Sequence, residues 1–157
     1  MANPKPVYGP DSIKLKGTWT KELTGPDGEI KGVWHNSNVV VTVGKEFLAS
    51  FLKSAAAAAS TFTMRYVAIG TDSTAEAVGN TGLGTEVSRH TGTVTYTSGG
   101  IYEVKATFAT GSGTGAIVEY GIFSSNTAGT LFCRDTESVI NKGANDTLTV
   151  TAQITFS

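Results

Sequence analysis

A single cysteine, Cys133, stands in the whole chain. No intrachain disulfide can form, which excludes the small cross-linked scaffolds of secreted proteins. Charge is scarce as well: 16% of residues are charged, against roughly 25% in an average soluble domain. The 12 Lys and Arg are balanced by 13 Asp and Glu, for a net charge of −1. The cations are scattered, so no footprint for a nucleic acid is present. No apolar run approaches the roughly 20 residues of a membrane-spanning helix. Residues 1–9 lack the apolar centre of a secretory signal. The expectation is a chain made in the cytoplasm, with neither nucleic acid nor membrane as partner, which leaves only as part of a larger particle.

What the chain has is glycine and β-branched residues. Nineteen glycines and dense Thr and Ser accompany a hydrophobic fraction of 39%. Such a composition suits sheets joined by tight turns. The length of 157 residues fits one domain, large enough to bury a core without a metal or a disulfide.

Residues 1–12, MANPKPVYGPDS, hold three of the four prolines. Proline fixes φ and cannot donate to a ladder, so this segment reads as an extended arm. Val7 and Tyr8 are its candidate anchors on a neighbouring subunit. Residues 13–157 read as a single domain.

The domain opens with a hairpin. In 13–24, Ile13, Leu15, Trp19 and Leu23 alternate with Lys14, Lys16, Thr18, Thr20 and Glu22. Gly25-Pro26-Asp27-Gly28 is a turn signal, and residues 29–36 return with Ile30 and Trp34. The period then changes. Val43, Phe47, Phe51 and Ala55 are spaced by four, which predicts a helix over about 43–58, capped by Thr42 and with Glu46 in its first turn.

Strands follow at 62–70, 86–98, 101–110, 116–124 and 130–137. A long loop, 71–85, separates the first two, and Gly99-Gly100 turns a second hairpin. The last strand is the most regular: Leu148, Val150, Ala152, Ile154 and Phe156 alternate with Thr147, Thr149, Thr151, Gln153 and Thr155. About eight short strands and one helix predict a mainly β, antiparallel β-sandwich.

Residues that could carry chemistry do not gather by spacing. His35 and His90 lie on different strands with no ligand spacing. Cys133 has Arg134 beside it, which could lower the thiol pKa, yet no second cysteine and no helix N-terminus. Asp72, Glu76 and Glu86 flank the long loop without the spaced Asp/Asn/Gly pattern of a calcium loop. Gly79 to Gly84, GNTGLG, lacks the lysine and the strand-to-helix setting of a phosphate loop. Trp19, Trp34, Tyr96 and Tyr102 could together form a sugar platform, although Trp19 shares its face with Leu15 and Leu23. No catalytic residue, metal ligand or cofactor is expected.

Longer stretches carry a resemblance. YVAIGTDSTAEAVGNTGLG (66–84) runs into TEVSRHTGTVTY. IVEYGIFSSNTAGTLFCRDT (117–136) and DTLTVTAQITF (146–156) follow. These resemble a group of small virion structural proteins of tailed bacteriophages. They are also similar in part to the N-terminal module of phage tail-collar fibres. The matching positions are Ile69, Gly70, Leu83, Glu86 and Arg89, then Glu119, Gly121, Ile122 and Phe123. Residues 38–52, NVVVTVGKEFLASFL, resemble the lead-in of the small virion proteins. The hairpin 13–36 has no counterpart in the fibre module, and no long trimeric shaft follows.

The resemblance implies a non-enzymatic virion protein. A capsid decoration (cement) subunit comes first; a neck, tail or fibre-attachment component, or a carbohydrate-binding sandwich, is the alternative. It also implies a homo-oligomer whose partners are other virion proteins, the major capsid protein or neck and tail subunits. The polar face of the last strand, Thr147, Thr149, Thr151 and Gln153, is the candidate subunit interface. Glu86, Arg89 and Glu119 are expected to close structural polar contacts beside the long loop.

Overall fold

The computed structural model describes residues 14–53 and 64–157, with residues 50–53 described by their backbone alone. The arm anchors Val7 and Tyr8, the residue Ile13 and the alanine run 55–59 lie outside the described residues.

Among the described residues, nine strands and one helix follow in the order β1 (Leu15–Thr24), β2 (Ile30–Val40), α1 (Thr42–Lys53), β3 (Tyr66–Gly70), β4 (Glu86–Thr91), β5 (Thr93–Thr97), β6 (Ile101–Phe108), β7 (Gly115–Phe123), β8 (Leu131–Lys142) and β9 (Thr147–Phe156). Every pairing is antiparallel, and the spatial order is β4-β3-β7-β8-β2-β1-β9-β6-β5. The mainly β, antiparallel class is as the alternation predicts. The sandwich is closed nearly into a barrel: β2 is shared by its two faces at one corner, and the two end strands, β4 and β5, are consecutive in the chain at the other.

At one corner, β2 lies on β1 as far as Asn38 and then passes to β8 through Val39↔Arg134 and Val40↔Cys133. At the other, the stretch 86–97 breaks at Gly92. Its first half pairs with β3 and its second with β6. The hairpin expected between 86–98 and 101–110 is thereby corrected: only β5 pairs with β6. Gly92 makes the break because no side chain fits there. A Cβ would lie 2.5 Å from Val104 Cγ2 and 3.0 Å from the Arg65 carbonyl, and the Gly92 amide donates to that same carbonyl at 2.7 Å.

The core fills the space between the two faces. Trp19 and Leu23 from β1, Val104, Ala106 and Phe108 from β6, and Leu148, Val150, Ala152 and Ile154 from β9 meet Val67, Ile69, Ile117, Ile122 and Cys133 from the opposite face. A smaller cluster of Val41, Ala68, Phe123 and Leu131, with Val43 and Leu83 against it, lies on the outer side of the second face.

Several boundaries differ from expectation. Ile30 is 61% exposed rather than core, because the register shifts between Leu23 and Thr24 and one additional residue re-aims the start of β2. β2 runs on to Val40 and β8 to Lys142. The helix begins at Thr42, so Thr42 is its first residue and Glu46 falls outside the first turn. Helical glycine is ordinarily unfavourable, but Gly44 sits where α1 touches β8: a Cβ would meet the Phe132 carbonyl oxygen at 2.3 Å.

Candidate functional site

Three groupings of polar residues stand out, and each is placed by strand phase. The first lies on the outer side of β7 and β8. Glu119 and Gly121 alternate with the core residues Tyr120 and Ile122, and Gly121 stands opposite Arg134. Glu119 is fully buried. It accepts hydrogen bonds from the backbone amides of Asp72 (3.2 Å), Gly84 (2.9 Å) and Thr85 (2.7 Å). It also accepts from Arg134 Nε (3.2 Å) and Nη2 (2.8 Å). One carboxylate therefore closes both ends of the loop 71–85 onto the sheet, and Arg134 compensates its charge.

Between that loop and Arg134 is a cavity of about 290 Å³, lined by Asp72, Thr74, Asn80, Leu83, Gly84 and Arg134. Asp72 Oδ1 accepts from the Thr74 amide and hydroxyl, at 3.1 and 2.9 Å. Those two bonds, the backbone one first, hold its carboxyl below the ordinary range. Its Oδ2 lies 3.8 Å from Arg134. Arg134 is thus already committed to two carboxylates.

Arg89 works elsewhere than on the long loop. Its guanidinium forks onto Glu86 at 2.9 and 2.5 Å. It donates to the carbonyls of Ser125 (2.9 Å) and Ala128 (2.6 Å) and stacks 3.6 Å above the Phe123 ring. It clamps the turn between β7 and β8, where Ala128 takes the left-handed φ of 54°.

The second grouping is inside the barrel, and sequence reasoning passed it over. Lys21 is in phase with Trp19 and Leu23, so the alternation of β1 turns an ammonium inward. Its Nζ contacts Asp135 Oδ2 directly and Glu137 Oε2 at 3.1 Å. The side chains of Lys21, Asp135 and Glu137 are 0%, 1% and 4% exposed. Nζ also sits 4.5 Å from the Tyr120 ring centroid and 5.9 Å from that of Trp19.

Asp135 faces inward because it pairs with Tyr120. Glu137 follows it inward at a bulge, where residues 137–139 stand opposite Val118 alone. Asp135 Oδ1, Glu137 Oε1, the Tyr120 hydroxyl and the Trp19 indole N–H are buried with no hydrogen-bond partner. Burial pushes the Asp135 carboxyl up to about 6 against the pull of Lys21, and burial likewise drives the Tyr120 phenol upward. The signal in the sequence was phase: a lysine in step with Trp19, and two acids in step with Cys133.

The third grouping is the outer face of the sheet β2-β1-β9-β6-β5. Its rows run Val33–Glu22–Thr149–Thr107, His35–Thr20–Thr151–Lys105–Thr93, and Ser37–Thr18–Gln153–Glu103–Thr95. None of these side chains is buried. Short polar contacts tie the rows: Thr107 to Thr149 at 3.4 Å, and Gln153 to Glu103 at 2.7 Å. Thr147, Thr149, Thr151 and Gln153 share this face and run down its middle strand.

The remaining candidates disperse. His35 bonds Thr20 at 3.1 Å on the outer face. His90 meets the Thr107 carbonyl at 3.0 Å, and Ser112 donates to its other nitrogen at 2.8 Å. Glu76 accepts a hydrogen bond from the Thr136 hydroxyl, so Asp72, Glu76 and Glu86 each serve a different partner. Cys133 is fully buried, and burial raises its thiol pKa; Arg134, adjacent in sequence, points to the other side of the strand. By register the four rings stand on the inward face of the sheet, but they form no open platform. Trp19 is core, Trp34 is half-buried against it, and Tyr102 donates its hydroxyl to the Met64 carbonyl. Tyr96 alone projects, 74% exposed.

Among the described residues no group of three or more His, Cys, Asp and Glu is arranged to hold a metal ion, and no helix is long and apolar enough to cross a membrane. The chain matches no protein-family model, no curated protein and no solved structure.

Proposed function

We propose that this chain is a structural subunit of a tailed-bacteriophage particle, a capsid decoration protein that acts by packing against neighbouring virion subunits rather than by catalysis. The observation that carries this reading is the broad polar face of β2-β1-β9-β6-β5. Rows of Thr, Ser and Gln with the charged Glu22, Glu103 and Lys105 stand there at strand spacing, with no side chain of the face buried. Short, β-branched polar side chains lose little conformational freedom on contact, and a wide surface of them suits lattice packing better than enclosure of a small ligand.

The sequence resemblance to small virion proteins supports the same reading. So does the disposition of the buried polar groups: Glu119, Arg134 and Arg89 spend their bonds on fixing loops to the sheet.

The test is light scattering over a concentration series, followed by mixing with phage particles that lack the protein. The expected result is a trimer that binds the shell, with binding lost in a Thr149→Arg, Thr151→Arg double variant that retains the wild-type circular dichroism. Binding confined to the neck or tail would move the subunit to that part of the particle. A monomer that binds no particle would overturn the reading, and Trp or Tyr fluorescence quenching by saccharides would then favour a sugar-binding module.

A further inference from the structure

The buried trio of Lys21, Asp135 and Glu137 has no part in packing against other subunits, and as an ion cluster it is poorly built. One cation faces two carboxylates in an apolar setting, two carboxylate oxygens lack any partner, and the aromatic rings of Trp19 and Tyr120 wall the ammonium. Buried charges of this kind ordinarily carry hydrogen bonds on every oxygen. We propose that Lys21 and Asp135 condense to an intramolecular isopeptide bond joining β1 to β8, with Glu137 as the catalytic acid–base group.

The geometry supplies what an amide condensation needs. Nζ is already in contact with the Asp135 carboxyl, so the reacting groups are held as neighbours and the loss of translational freedom is met by folding. The apolar surroundings favour the neutral form of a buried carboxyl over its charged form. The raised Asp135 carboxyl is in keeping with this, since burial is its largest cause. Glu137 Oε2, at 3.1 Å from Nζ, is within reach to take a proton from the ammonium.

The step balances without any other reactant. It starts from the Lys21 ammonium, the protonated Asp135 carboxyl and the Glu137 carboxylate. Glu137 removes one proton from Nζ. The freed lone pair attacks Asp135 Cγ, forming the C–N bond and a tetrahedral centre. A second Nζ proton passes, through the Glu137 carboxyl, to the Asp135 hydroxyl. The C–O bond then breaks and water leaves. The third proton remains on the amide nitrogen, and Glu137 ends protonated. Nothing is oxidised or reduced.

β1 and β8 are not hydrogen-bonded neighbours, since β2 stands between them in the sheet order. The bond would therefore tie one face of the barrel to the other at the corner where β2 changes partner.

The measurement is the intact mass of the purified chain under denaturing conditions, with peptide mapping. The expected mass is one water below that of the sequence, with a branched peptide linking residues 21 and 135. Lys21→Arg and Asp135→Ala should each restore the mass expected for their own sequence. Glu137→Gln, with circular dichroism matching wild type, should do the same or slow the loss of water at least tenfold after refolding. A wild-type chain at its full sequence mass would overturn the proposal. So would a water loss that maps to an Asp27–Gly28 succinimide or to a Lys21–Glu137 link, or one that persists unchanged in Glu137→Gln.

Discussion

Glu119 and Arg134 meet at 2.8 Å on adjacent strands, with side-chain exposures of 0% and 2%. Their contact is diagonal, since Glu119 stands opposite Thr136 and Arg134 opposite Gly121. The hydrogen-bond partners of the pair outside itself all belong to the loop 71–85. Glu119 pins the two ends of that loop, while Val78 and Glu76 tie its middle to Thr42 and Thr136.

Glu119→Gln should expose that dependence. The amide would leave Arg134 with only the more distant Asp72 as counter-charge, and its NH2 group would face either Gly84 and Arg134 or Asp72 and Thr85, all of them donors. Breaking a buried pair in this way costs about 3–5 kcal/mol, which lowers the melting temperature by on the order of 10 °C in a domain of this size. Hydrogen exchange at the amides of Asp72, Gly84 and Thr85 should accelerate beyond that of β9 amides. Unchanged exchange at those three positions would contradict the role given to Glu119.

Arg89→Lys should be nearly as damaging as Arg89→Ala. A lysine keeps the charge but loses the fork onto Glu86, the two carbonyl bonds of the turn 124–130 and the stacking on Phe123. The expected loss is about 2 kcal/mol for either variant, read from chemical denaturation. A lysine variant as stable as wild type would mean that charge alone suffices at this position.

The Lys31–Asp146 pair, at 2.7 Å, sets a pH window. The bond from Lys31 and that from the Gly143 amide lower the Asp146 pKa, and Asp146 raises that of Lys31. A depressed carboxyl contributes stability above its unfolded value, near 4, and loses it as pH falls through the folded value. A raised lysine contributes below its unfolded value, near 10.4, and loses it as pH rises through the folded value. Asp146→Asn should therefore narrow the difference from wild type at both extremes and be most destabilising between them. The check is a denaturation midpoint measured across pH 2–11; a variant penalty that does not vary with pH would refute the assignment.

Gly44→Ala should destabilise despite alanine's better helix propensity. The added Cβ meets the backbone of Phe132, with the oxygen at 2.3 Å and Cα at 2.7 Å, and backbone cannot swing aside. Displacing α1 from β8 costs about 1–3 kcal/mol. A rise in melting temperature would show that the helix is free to shift.

Alternation made much of this fold legible. Leu148 to Phe156 reads directly as β9, and Gly25-Pro26-Asp27-Gly28 marks the β1–β2 turn. The corner at Gly92 did not read, because Thr91-Gly92-Thr93 continues an alternating stretch. Local pattern does not report which partner each half pairs with; only the close approach of Val104 and Arg65 demands the glycine. Ile30 misled for a related reason, since a bulge changes the face of a residue without changing its type. That Thr147, Thr149, Thr151 and Gln153 share one face followed from strand period alone. Lys21, Asp135 and Glu137 were passed over because long-range contact, 114 residues apart for the first two, leaves no trace in spacing.

The two corners also govern how the barrel would respond to load. At one corner β2 serves β1 and then β8, while at the other the chain runs from β4, paired with β3, straight into β5, paired with β6. Load passing between the two faces is therefore borne by hydrogen bonds along β2 at the first corner. At the second it is borne by the covalent backbone through Gly92, so the chain itself is the tether between the two end strands of the sheet.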